Sequence, residues 1–241
     1  MSEEEGRSDP VGDLSRYIQK SIIHLLSSLP EAHARQFAAA ALARSNRLLA
    51  AMLCLRDEGF TDVVGGLQRM VLECWLIGEY LLLAPNEAMQ KLHEADAYQL
   101  TTMGNAGWEH LGEFAKELGF DRKRLDWSSL AGRVGTLFRE AGMDSEVNYG
   151  RQMYDLLYRR QSHVDVHAGI GSLMGYVITE TGRFSTREIT NQRMIDPMSV
   201  LMAGACVAWL AERVCDEFGI GTHRIVSLQV EIMNSMMSID E

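Results

Sequence analysis

The sequence predicts an all-α protein, a single bundle of long antiparallel helices. Three observations predict it. Apolar residues recur at intervals of three and four through most of the 241-residue chain, the spacing that lines one face of a helix. Ala, Leu and Met are plentiful, against only 4 prolines and 7% aromatics, a balance that favours helix over sheet. Punctuation such as Pro30, Glu58-Gly59 and Pro85 separates the periodic segments.

Residues 1–11 are acidic and polar, and are expected to be disordered. A first helix is expected over 12–29, with Leu14, Tyr17, Ile18, Ile22, Leu25 and Leu26 as its stripe. A second is expected over 31–57, where Phe37, Ala41, Leu48, Met52 and Leu55 follow helical spacing and Arg44 falls in the same seam. A charge in an apolar seam is unusual unless paired. Thr61 or Asp62 can cap a third helix that runs to about Ala84. Its middle, Met70 to Ile77, is apolar nearly all round, which places it centrally. Glu73 is then expected to be buried and to need a partner or a proton. Arg69, one turn away, and Arg44, on the preceding helix, are the candidates.

A fourth helix is expected over 86–117 with a break near 104–107. A polar turn at 119–127 carries Arg122, Lys123 and Arg124, read as a solvated basic cluster. A short helix over 130–141 is capped by Ser128 or Ser129, and another spans 147–167. Alternation around a Gly-containing turn suggests a small hairpin or an extended loop at 176–189. Asp196-Pro197 starts a long apolar helix to 218, and a final helix covers 223–237. Residues 12–241 show no repeat or linker and read as one domain.

Composition limits the function classes. A net charge of -10 argues against broad nonspecific nucleic-acid binding, although a local basic patch can still hold RNA. Cys54, Cys74, Cys206 and Cys215 lie in apolar helical contexts and read as buried, reduced thiols. The start, Ser2-Glu3-Glu4-Glu5, has no secretory pattern. The apolar windows Met70–Ala84 and Met198–Ala211 are too charged or too short for a membrane span, and read as core helices. A soluble, cytoplasmic protein with no membrane partner is expected.

The densest chemistry lies in Tyr158-Arg159-Arg160-Gln161-Ser162-His163-Val164-Asp165-Val166-His167. On a helix, Arg160, His163 and His167 share a face. A histidine near neutrality can take a proton from a 2′-hydroxyl or give one to a leaving oxygen. A guanidinium can hold the phosphate, and Arg159 competes with Arg160 for that role. One copy supplies a single such histidine, so two copies facing each other would give a fuller site. The plainer reading is a histidine hydrogen-bonded at a helix C-terminus. His163 and His167 at i and i+4 can also bind a metal with Glu73 or Asp165, but no Glu follows the first His and Asp165 points away. No nucleophile elbow surrounds Ser162, and no phosphate-binding Gly-rich loop is present. No metal or cofactor is therefore expected.

Arg44-Ser45, then Arg69-Met70-Val71-Leu72-Glu73, then Tyr158 through Ser162 to His167, together resemble a bacterial family of helical domains of unassigned function. That family is similar to the HEPN superfamily (higher eukaryotes and prokaryotes nucleotide-binding). The resemblance covers roughly residues 38–218, by pattern. HEPN domains are helical bundles, often dimeric, and many are metal-independent ribonucleases of toxin–antitoxin and phage-defence systems. Their motif of Arg, a polar residue, a short gap and His maps onto Arg160, Gln161 and His167; active members more often carry Asn, Asp or His where Gln161 stands.

The resemblance implies a cytosolic endoribonuclease or RNA-binding effector. Arg160 and His167 would be catalytic, and Arg44, Arg69, Glu73, Tyr158 and His163 would be binding residues. It also implies a homodimer, RNA as a partner and a cognate antitoxin or regulator. Two other classes stay open: a non-catalytic regulatory or dimeric interaction module, and a bundle that binds a small molecule or metal in its core. Met233, Met236 and Met237 read as adaptable packing at an interface.

Overall fold

The chain enters its first helix through a side-chain cap. In the computed structural model, which describes residues 9–26, 33–60, 64–143, 149–155, 177–178, 183–184 and 197–239, the Asp9 carboxylate accepts the Gly12 N–H at 3.1 Å. Pro10 takes the first helical position, where its missing N–H costs nothing. Helix α1, Pro10–Tyr17, therefore begins two residues before the expected start, and Val11 is core, 2% exposed. The helix does not run on regularly. It widens into a π-helical segment, Ile18–Ile22, where the Ile23 N–H bonds to the Ile18 carbonyl, and resumes as α2, Ile23–Leu26. Leu14, Ile18 and Ile22 are buried as expected, but Leu25 is exposed.

Helix α3, His33–Asp57, and helix α4, Val64–Leu83, form the main helical pair. The buried seam of α3 is Ala38, Ala41, Leu42, Ser45, Asn46, Leu49, Met52 and Leu53. It shares Ala41 and Met52 with the expected stripe, and Leu48 and Leu55 pack against it partly buried, but Phe37 and Arg44 face outward. The run of small alanines at 38–41 made either placement of the stripe compatible with helical spacing, and Ser45 and Asn46 disguised the true seam. The buried Ser45 hydroxyl is satisfied by the Leu42 carbonyl at 2.9 Å. Helix α4 is central, as expected, with α3 and the helices Pro85–Asn105, Trp127–Glu140 and Pro197–Glu217 packed around it.

Helix α5, Pro85–Asn105, and helix α6, Glu109–Glu117, fold back on each other at the expected break. Gly107 turns the chain at φ +107. Gly104 and Gly112 meet backbone to backbone; a Cβ on Gly104 would lie 2.6 Å from the Gly112 Cα. Helix α7, Trp127–Glu140, starts three residues earlier than expected. Its cap is Asp126, which accepts the Ser128 N–H at 3.1 Å, rather than either serine. The carboxylate wins that role because the serines already lie inside the first turn, and the Ser129 hydroxyl donates back to Asp126.

Helix α8, Tyr149–Met153, packs on α7. Strands β1, Val177–Ile178, and β2, Arg183–Phe184, pair antiparallel, with Val177 opposite Phe184 and Ile178 opposite Arg183. They sit within the segment expected as a hairpin. Helix α9, Pro197–Glu217, lies against α3, α4 and α10, and helix α10, His223–Met237, closes on α1 and α9.

Trp75 of α4, Phe138 of α7 and Trp209 of α9 form an aromatic trio with ring centroids 5.9–6.1 Å apart. Such offset rings join three helices at one point. All four cysteines are free; Cys74, Cys206 and Cys215 are buried, but Cys54 is exposed. Helices α3 and α9 are long and apolar enough to cross a membrane by length and composition, and both contribute residues to the core of the bundle.

Candidate functional site

The described part of the expected site lies where α3 passes α4. A four-residue step on α4 places Arg69 and Glu73 on one face, and the Arg69 Nε donates to Glu73 Oε1 at 3.2 Å. Both side chains are 23% exposed, so the pair sits at the wall of the bundle and not at its centre. This corrects the expectation of a buried Glu73. Burial nonetheless outweighs the hydrogen bond and charge of Arg69, and the Glu73 carboxyl is raised above its usual range. Arg44 on α3 also lowers Glu73 through its charge, so both expected partners act on it. The Arg44 side chain is exposed. The adjoining Cys74 thiol is pushed up to about 11 by burial, which keeps it an inert thiol at neutral pH.

Two guanidinium groups thus gather around one carboxylate. Tyr158, Arg159, Arg160, His163 and His167 lie outside the described residues. So does the i, i+4 histidine pair weighed as a metal site.

The wholly buried carboxyl of α4 is Glu79. It stands six residues after Glu73, on a different face of the helix. Its partner is Arg213 of α9, whose Nε lies 3.5 Å from Glu79 Oε2. Glu79 Oε1 has no hydrogen-bond partner among the described residues. Desolvation dominates over Arg213, and the carboxyl is pushed up to about 7. The neighbouring Cys206 thiol, buried and close to that carboxyl, is pushed up to about 12.

Sequence reasoning passed over this pair. The available signal was a second acidic residue in the same apolar run, together with one Arg on the facing apolar helix.

A third polar group joins α4, α5 and α7. Arg133 makes a forked contact with Glu87, through Nε at 3.2 Å and Nη2 at 3.0 Å, and reaches Glu140 at 3.4 Å. Arg133 holds Glu87 below its ordinary range. Burial and the facing Glu87 carboxylate raise the Tyr80 phenol.

Compared with known proteins, the chain matches no protein-family model, no curated protein and no solved structure.

Proposed function

We propose that this protein is a metal-independent RNA-cleaving or RNA-binding effector of the HEPN-like kind, acting in stress or phage defence. The observation that carries the reading is the motif Arg160-Gln161 followed by His167. The guanidinium of Arg160 holds the scissile phosphate and offsets the charge that builds on it. His167 takes the proton from the 2′-hydroxyl, whose oxygen attacks phosphorus as the bond to the 5′-oxygen breaks. The departing oxygen then takes a proton, from a second imidazole or from water. A homodimer would supply that second imidazole. Arg44 and Arg69 support the reading, because both act on Glu73 at the wall of α3 and α4 and a guanidinium is suited to holding a phosphate oxygen.

The test is cleavage of single-stranded RNA by the purified protein in chelator, with His167→Ala and Arg160→Ala beside it. Loss of cleavage in both variants, with unchanged melting, is expected. Equal activity in His167→Ala contradicts it.

One observation favours a second reading. Arg69 is hydrogen-bonded to Glu73 within its own helix, which suits a structural network in a non-catalytic interaction module. A protein that binds RNA or a partner protein but never cleaves RNA fits that module.

A further inference from the structure

The groove between α1 with its π-helical segment and α3 differs in chemistry from the rest of the surface. It measures about 360 Å³ and is lined by Ser15, Arg16, Gln19, Lys20, Asn46, Arg47 and Ala50. Three cations line it and no carboxylate does. In a chain of net charge -10, acidic side chains outnumber basic ones, yet none lines this groove. Arg16 pairs outward with Asp13, while Lys20 and Arg47 have no ion-pair partner among the described residues.

The floor carries a second, independent sign. Asn46 is 1% exposed. Its Nδ2 donates to the Ser15 carbonyl at 3.2 Å. Its Oδ1 has no hydrogen-bond partner among the described residues. A buried acceptor without a donor is uncommon in a folded protein and calls for one. The helix is also irregular here: the π-helical turn, Ile18–Ile22, presents Gln19 and Lys20 to the groove. Such widened turns are rare and concentrate at functional sites.

We propose that this groove binds a small hydroxyl-bearing phosphate monoester. Two unpaired cations and a third at the rim match a phosphate dianion, which guanidinium groups hold through charge-assisted hydrogen bonds. The exposed Gln19 amide matches a hydroxyl group on the body of the ligand, and Asn46 beneath it fixes the floor through its bond to the Ser15 carbonyl. The volume is at the lower end of small-ligand sites, the size of a sugar phosphate. A long polyanion is disfavoured, because seven residues line the groove and the remaining surface is net acidic. The site shares no residue with the proposed RNA-cleaving centre and does not rest on that reading.

The test is titration calorimetry of the full chain with ribose 5-phosphate, inorganic phosphate and ribose. Ribose 5-phosphate is expected to bind at micromolar concentration, phosphate more weakly, and ribose not measurably. The double variant Lys20→Gln/Arg47→Gln changes only exposed side chains. It is expected to melt as the parent does and to lose at least about tenfold in affinity. No heat with millimolar ribose 5-phosphate overturns the proposal, as does undiminished affinity in the double variant.

Co-sedimentation separates a soluble ester from a lipid headgroup. Vesicles of phosphatidylcholine with phosphatidic acid are expected to leave the protein in the supernatant. Pelleting that Lys20 and Arg47 govern, without ribose 5-phosphate binding, overturns the soluble-ligand proposal in favour of a headgroup.

Discussion

Glu79 illustrates what one buried carboxyl does to this fold. Its pKa in the folded protein is about 7, against an ordinary value near 4.5 in the unfolded chain. The folded state therefore binds the proton more tightly. Stability is greatest below the unfolded value, falls as pH rises through the window from about 4.5 to 7, and levels off above it. A shift of that size corresponds to up to roughly 3 kcal/mol. Glu79→Gln removes the ionisation and keeps the shape, while Arg213, 25% exposed, can still reach water. We expect Glu79→Gln to flatten the pH dependence between 5 and 8 and to melt higher than the parent at pH 8. Urea denaturation at the two pH values measures this; parallel pH profiles for parent and variant would contradict it.

The helices carry a second kind of constraint, in close approaches that side chains do not permit. Gly150 of α8 packs on α7 so tightly that a Cβ would lie 2.5 Å from the Ala131 carbonyl oxygen and 3.0 Å from the Gly135 nitrogen. Both obstacles are backbone and cannot turn aside. Gly150→Ala gains about 0.5–1 kcal/mol in helix propensity but incurs overpacking of about 1–3 kcal/mol, so a net loss and a lower melting temperature are expected. Gly132 on α7 is the matched control. Nothing among the described residues lies within 4 Å of its Cβ position, so Gly132→Ala is expected to raise the melting temperature by a few degrees. Calorimetric melting of both variants checks the pair; the same sign for both contradicts the packing described for α7 and α8.

At this scale much of the fold was legible in the sequence. Long periodic stretches gave the helices, Gly107 gave the break between α5 and α6, and the all-round apolar run gave the central place of α4. The rest was hidden for physical reasons. The alanines of α3 carry little directional information, so spacing alone puts Phe37 and Arg44 on a seam that Ser45 and Asn46 occupy instead. Capping depends on which oxygen reaches an N–H, and so Asp9 and Asp126 were passed over. Of the candidate site, the Arg69–Glu73 pair followed from a four-residue spacing. The burial of Glu79 did not, because it depends on which face α9 covers.

Across the whole molecule, α10 has two apolar faces. Ile225, Leu228 and Ile232 are buried against the bundle. Val226, Val230, Met233 and Met237 form a second stripe at spacings of four, three and four, and are 38%, 53%, 46% and 65% exposed. Ser227, Gln229 and Asn234 flank this stripe and carry no charge to repel a second copy. It is the surface we expect the proposed homodimer to use. Light scattering is expected to give about twice the chain mass of 27.0 kDa for the parent and a single chain for Val230→Glu/Met233→Glu. A monomeric parent would contradict it.

RNA cleavage in chelator is the direct measure of what Arg160 and His167 do. The parent is expected to cut single-stranded RNA without metal and to leave 2′,3′-cyclic phosphate ends, and His167→Ala is expected to lower the rate by about 10²-fold or more with its melting unchanged. A parent that leaves RNA intact, or a His167→Ala variant that cuts as fast, would contradict it.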